Sequence, residues 1–149
     1  MGEDDLQVFI DGVIHYFNQS SVNEAEVGTP YLMKDSTKLP MDYTGIIGIS
    51  GKRKGSVYFT APKAMMKKLL IDLGEEEISH GNCCDLVGEV ANTISGNARR
   101  DFGKDFLISV PVVVVGELTS INMPEHLNSF VIPIAWRGEN SRLVICLES

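Results

Sequence analysis

From Asn82 to Asp101 the chain spells out one long amphipathic helix, and the rest of the fold has to supply what its apolar side needs. Leu86, Val87, Val90, Ala91, Ile94 and Ala98 recur at three- and four-residue spacing, the period that gathers side chains on one face of an α-helix. Gly103 follows the last turn, where a residue free of Cβ ends a helix at least cost. An apolar stripe of this kind must be buried against another layer. The flanking segments can build that layer. Tyr43 to Ser50 and Ser56 to Thr60 lie before it, and Phe106 to Glu117, Ser129 to Arg137 and Arg142 to Glu148 after it. All are rich in the β-branched and aromatic residues that suit strands.

Two further helices are predicted. Leu6, Phe9, Ile10, Val13, Ile14 and Phe17 make a helical face between Asp4 and Asn18. Met65, Met66, Leu69, Leu70 and Leu73 make another, with Thr60 as its cap, Pro62 in its first turn and Gly74 as its stop. Gln19 to Pro40 reads as a loop with one short strand. Gly51 to Gly55 turns the first two strands into a hairpin, and Gly138-Glu139-Asn140-Ser141 turns the last two. Phe130, Ile132, Ile134 and Trp136 alternate as one face of a strand. Pro111 and Pro133 cannot donate to a ladder and belong at an edge, a bulge or a strand's non-bonded side. Strands in two runs around a helical pair predict a single α+β domain over residues 1–149, with helices packed on a largely antiparallel sheet.

Composition narrows the function. A chain of 149 residues, 44% apolar, buries about 68–70% of its unfolded surface and needs no metal or disulfide to fold. The run Val112 to Val115 falls far short of the ~20 apolar residues of a membrane span. The acidic start Met1-Gly2-Glu3-Asp4-Asp5 lacks the basic and apolar regions of a signal peptide, so a cytoplasmic location is expected. A net charge of −7 argues against nucleic acid, whose phosphates demand clustered cations. Cys83, Cys84 and Cys146 form an odd set with two adjacent members, which suits reduced thiols. His80 precedes Cys83 by three residues, but no second CxxC or HxxxH element completes a zinc site. His15, His80 and His126 are dispersed, and neither a Gly-x-Ser-x-Gly elbow nor a Gly-x-x-x-x-Gly-Lys loop occurs.

The polar side of the long helix is more informative. At about 100° per residue, Asp85, Glu89, Asn92, Gly96 and Arg99 fall within roughly 40° of one direction, with Gly88 at the border. A solvated helix face is the ordinary explanation. Yet Gly88 and Gly96 each cost about 1 kcal/mol relative to Ala, and glycine on an exposed face leaves room for another backbone or a phosphate. Asn92 carries an amide that can hold a water in line with an electrophile without acting as a base. Glu89, one turn earlier, offers a negative charge to a cationic group. These features describe a docking surface with a water-positioning residue.

In Asp85-x-x-x-Glu89-x-x-Asn92, within the segment from Asp85 to Asn97 and followed by Pro111, the chain resembles the CheC/CheX family of chemotaxis phosphatases, which dephosphorylate the receiver CheY. The resemblance implies a CheC/CheX-like fold. It implies that Glu89 contacts the receiver's lysine, that Asn92 places the water attacking the aspartyl phosphate, and that Asp85, Gly88, Gly96 and Arg99 surround the partner. Family members with one copy of the motif pair as homodimers, and this chain has one, since Glu125-His126-Leu127-Asn128 falls in a loop. The interval from Asn92 to Pro111 is shorter than in the family, and Pro111 receives no catalytic role. No cofactor is implied for the chain itself, because Mg²⁺ comes with the receiver.

Lys52, Arg53 and Lys54 could touch an acidic partner or simply charge a hairpin tip. Arg99 and Arg100 complement the helix dipole, and Arg99 also rims the polar face. Three functions stay open: a phosphatase for a phosphorylated receiver, a non-catalytic receiver-binding or dimeric scaffold domain of the same fold, and an unrelated α+β domain for a small ligand.

Overall fold

A computed structural model describes residues 1–33, 41–116 and 128–148. Its elements are α1 (Glu3–Ser20), β1 (Glu26–Val27), β2 (Tyr31–Leu32), β3 (Tyr43–Gly51), β4 (Gly55–Ala61), α2 (Lys63–Asp72), α3 (His80–Phe102), β5 (Phe106–Ile108), β6 (Val112–Val115), β7 (Ser129–Trp136) and β8 (Glu139–Leu147). All described strand pairings are antiparallel. The sheet runs β1-β7-β8-β4-β3-β5, with β2 also on β7 and β6 also on β3. The long helix α3 lies on β3 and β4 and touches both α1 and α2. Its predicted stripe is buried throughout, among Phe9, Phe17, Ile47, Phe59, Met65, Met66 and Trp136. The α+β arrangement expected from the strand and helix order is therefore the observed one.

Local departures have physical causes. Thr60 lies in β4, and its hydroxyl serves Met41 N and Thr44 Oγ1 instead of a helix. Pro62 is the N-cap of α2, without a capping side chain of its own; Asp42 Oδ2 accepts from Lys63 N at 2.7 Å and satisfies that end from a distant segment. Leu73 caps α2 at its C-terminus and is exposed. Ile14 also faces solvent, whereas Tyr16, seven residues after Phe9, takes its place in the buried stripe of α1. Ser79 caps α3 by accepting from Asn82 N, so α3 starts two residues earlier than its apolar period suggests. The loop after α1 contains two short strands, both on β7. The last hairpin turns on only two residues, Arg137 and Gly138, both at positive φ, the backbone that a tight hairpin requires. Glu139, Asn140 and Ser141 consequently belong to β8. Pro133 sits inside the sheet opposite Arg142, with its carbonyl accepting from Gly28 N on its other side.

The strand predicted over Phe106 to Glu117 breaks in the middle, and Glu117 lies outside the described residues. Ile108 pairs with Ile49 and Val112 with Ile46, so residues 109–111 face only residues 47 and 48. The extra residue is a bulge on an edge strand, where Pro111 needs no ladder donor. Ser109 Oγ accepts from Gly48 N at 2.8 Å and repairs the ladder there.

Candidate docking face on the third helix

Two glycines set the height of α3 above the sheet. A Cβ on Gly45 of β3 would lie 2.5 Å from the Val87 carbonyl oxygen, so strand and helix meet there backbone to backbone. One residue along, a Cβ on Gly88 would lie 3.1 Å from Val113 Cγ2 and 3.3 Å from Pro111 Cβ. Gly88 is therefore buried, and the bulge carrying Pro111 occupies the space that the sequence suggested for a partner. Its missing side chain serves the chain's own packing, which corrects the expectation that Gly88 touches a partner.

The other residues of the face are placed as their spacing predicts. Asp85, Glu89, Asn92 and Arg99 are exposed, and Gly96 is half-buried with nothing within 4 Å of where its Cβ would be. Glu89 and Asn92 stand three residues apart on one helix, neighbours at about 5–6 Å between Cβ atoms. Among the described residues neither side chain makes a hydrogen bond or ion pair. Arg99 Nη2 donates to the Lys104 carbonyl beyond the helix end at 3.4 Å, so its guanidinium leans toward the α3–β5 loop. The glutamate and asparagine thus project freely from a helix turn that the strands below hold rigidly.

Three residues from other elements border this face. Pro111 and Val113 wall one side at Gly88. On the other side Tyr16 of α1 comes near enough for the Glu89 carboxylate to act on it. Burial pushes the Tyr16 phenol up to about 12, opposed by a hydrogen bond with Ser20 and reinforced by the Glu89 charge. The phenol is neutral at physiological pH. The one available signal is the Phe9–Tyr16 spacing.

The remaining polar candidates resolve into structural roles. Arg53 folds back as a fork over Asp5, with Nη1–Oδ1 and Nη2–Oδ2 both at 3.0 Å, and its guanidinium lies 5.1 Å from the Phe102 ring centroid. It is not free for an acidic partner. His80 Nδ1 pairs with Tyr43 Oη at 2.9 Å and Nε2 approaches Cys84 Sγ at 3.6 Å. Burial, with Cys83 and Asp85 nearby, pushes the Cys84 thiol up, away from the reactive thiolate. Cys83, Cys84 and Cys146 are unbridged. Among the described residues no group of three His, Cys, Asp or Glu side chains could hold a metal ion, and no helix is long and apolar enough to cross a membrane. Glu125, His126 and Leu127 lie outside the described residues.

Comparison with known proteins points the same way as the motif. The family model described as chemotaxis phosphatase CheX matches residues 43–135. No curated protein sequence matches the chain. Among solved structures, a CheC-like superfamily protein from Shewanella sp. PV-4 is 28% identical, with a TM-score of 0.85 over 100% of both chains. The chemotaxis protein CheX from Vibrio vulnificus is 24% identical, with a TM-score of 0.84 over 97% of this chain and 99% of that one. CheX in a CheX–CheY–BeF3–Mg²⁺ complex from Borrelia burgdorferi is 21% identical, with a TM-score of 0.79 over 97% of each chain. At those lower identities the last two show a shared fold.

Proposed function

The chain belongs to the CheX family of chemotaxis phosphatases, and from that premise we propose that it hydrolyses the aspartyl phosphate of a CheY-like receiver docked on α3. The observation that carries this reading is the pair Glu89 and Asn92, exposed and unengaged on one face of a helix whose opposite side is immobilised. Phosphoryl transfer needs mainly alignment and charge stabilisation. The Asn92 carbonyl accepts a hydrogen bond from the attacking water, which orients its lone pair toward phosphorus, and the water's protons leave with the phosphate. Attack forms the new P–O bond as the bond to the receiver's aspartate breaks, releasing inorganic phosphate and a free carboxylate. Glu89 contacts the receiver's lysine by its charge. Mg²⁺ belongs to the receiver, and no cofactor is assigned to this chain. Asp85, Gly96 and Arg99 border the docked partner.

We read residues 1–149 as one domain, cytoplasmic, and paired as a homodimer. The support for pairing is the β5–β6 edge. Leu107, Val110, Val112 and Val115 are all exposed there, beside backbone that among the described residues pairs only with β3. An edge of this composition invites a second copy.

The deciding experiment follows phosphate loss from acyl-phosphorylated receivers with Mg²⁺, with and without the protein and its Asn92→Ala variant. We expect acceleration that Asn92→Ala reduces on the order of 10²–10⁴-fold, the scale of a missing well-oriented catalytic group, while receiver binding survives. An Asn92→Ala protein as fast as the parent would refute the water-positioning role. No acceleration of any receiver would leave a binding or scaffold domain.

A further inference from the structure

At the seam between the docking face and the sheet edge, the chain holds an aliphatic side chain out in water. Val110 is 81% exposed, and its neighbours Ser109, Pro111 and Val112 are exposed as well. The segment is anchored on both sides. Ser109 N donates to the Gly48 carbonyl at 2.9 Å, while Ser109 Oγ accepts from Gly48 N at 2.8 Å and donates to the Val110 carbonyl at 2.9 Å. Pro111 Cβ lies 3.3 Å from where a Cβ on Gly88 would be. Val110 is thus tied to β3 through one neighbour and to α3 through the other. A partner that covers a side chain on backbone already held in this way pays little for ordering it.

Its place along α3 follows from the packing on either side. The Phe106 ring stacks on the Phe102 ring with centroids 4.8 Å apart, and Pro111 meets Gly88. From Phe106 to Pro111 the chain therefore runs against α3, from its C-terminal end back toward its N-terminal half. Val110 stands about 3.3 Å before Pro111 on that path, beside the turn that leads from Gly88 to Asn92 and rises about 6 Å. Asn92 lies about 40° around the helix from Gly88, whereas Glu89 lies about 100° away. The bulge therefore borders the asparagine's side of the docking face.

Two occupants compete for this valine. A second copy adding a strand needs a continuous row of backbone donors and acceptors. That row is interrupted here, because residues 109–111 face only residues 47 and 48 and Pro111 has no N–H. Strand pairing is left to β5 and β6 on either side. A partner seated on α3 reaches Val110 without any strand pairing. We infer that Val110 is a docking anchor for the receiver, covered by an apolar patch that the receiver carries beside its phosphoaspartate, and that receivers without such a patch are poor substrates. This inference rests on the phosphatase reading above. Val110 contributes affinity through the apolar surface that docking removes from water, and it selects among receivers by that contact.

The test measures KM and kcat separately for the phosphorylated receiver that the protein turns over fastest. Val110→Ala removes two methyl groups from the contact, and KM should rise about fivefold. Val110→Asp sets a charge against the apolar patch, and KM should rise about thirtyfold or more. Both should keep kcat within about twofold. Val110→Ile retains the aliphatic surface and should keep KM within about twofold of the parent. Melting curves check that each variant is folded, as substitution at an exposed position predicts. Sedimentation velocity on each variant tests for the other occupant. Parent-like KM values for Val110→Ala and Val110→Asp overturn the inference while leaving the phosphatase standing, as does a fall in kcat with KM unchanged. A raised KM accompanied by a shift from paired to single chains gives Val110 to a second copy and overturns it too. If the parent accelerates no receiver, the phosphatase reading fails, and the anchor fails with it.

Discussion

Close approach of two backbones at Gly45 holds the docking face at its height. A Cβ at that position would lie 2.5 Å from the Val87 carbonyl oxygen, 3.0 Å from its carbon and 3.1 Å from Gly88 Cα. All three atoms are backbone, so no rotamer can move aside. Reaching the ordinary separation of 3.4 Å means lifting α3 locally by about 0.9 Å. Overpacking of this kind costs about 1–3 kcal/mol, offset by about 0.4–1 kcal/mol because alanine restricts the unfolded chain. Gly45→Ala should therefore lose about 1 kcal/mol net and melt about 2–5 °C lower. The turn that lifts carries Glu89 and leads to Asn92, and an ångström of misplacement costs on the order of 10² in rate. Turnover of a phosphorylated receiver should fall by about one to two decades. Gly96→Ala is the internal control. It lies on the same helix with nothing within 4 Å of its Cβ, so it should gain up to about 1 kcal/mol from helix propensity and melt higher. Thermal melts of the two variants beside the parent, with phosphate release in parallel, test both. A Gly45→Ala protein melting at or above the parent would refute the idea that backbone packing seats the helix.

Other consequences concern groups around this frame. Because the Tyr16 phenol stays protonated to about 12 in the fold, against an ordinary value near 10, its contribution is intact below pH 10. It is lost as pH rises toward 12, since the unfolded chain gives up that proton first. The loss is about 2–3 kcal/mol. Urea unfolding at pH 9 and 11.5 should show Tyr16→Phe losing less stability than the parent, and equal losses would contradict the assignment. The Arg53 fork holds the Asp5 carboxyl below its usual range, so this pair stabilises the fold above the ordinary carboxylate pKa and less as pH falls through the depressed one. Arg53→Ala should cost about 1–2 kcal/mol at pH 7, partly because no guanidinium then packs over the Phe102 ring. Its stability should depend less on pH below about 4, which acid titration followed by circular dichroism would check.

How much of the fold and the face is legible in the sequence follows from the range of the forces involved. The three helices, the two hairpins and the buried stripe of α3 follow from periodicity, which reports only whether neighbouring side chains share a face. The exposed group Asp85, Glu89, Asn92 and Arg99 is set the same way, because positions on one rigid helix are related by local geometry alone. Packing between segments distant along the chain decides the remainder. Gly88 reads in the sequence as space for a partner, but the Pro111 bulge fills that space. Arg53 reads as a free charge, but its fork closes on Asp5, 48 residues away. Thr60 reads as a cap for α2, yet Asp42, from before β3, supplies that role. By itself the sequence determined which residues lie along one helix face. Only tertiary packing decided which of them are left open to another molecule, because close backbone approach depends on the shape of a surface that a distant segment brings.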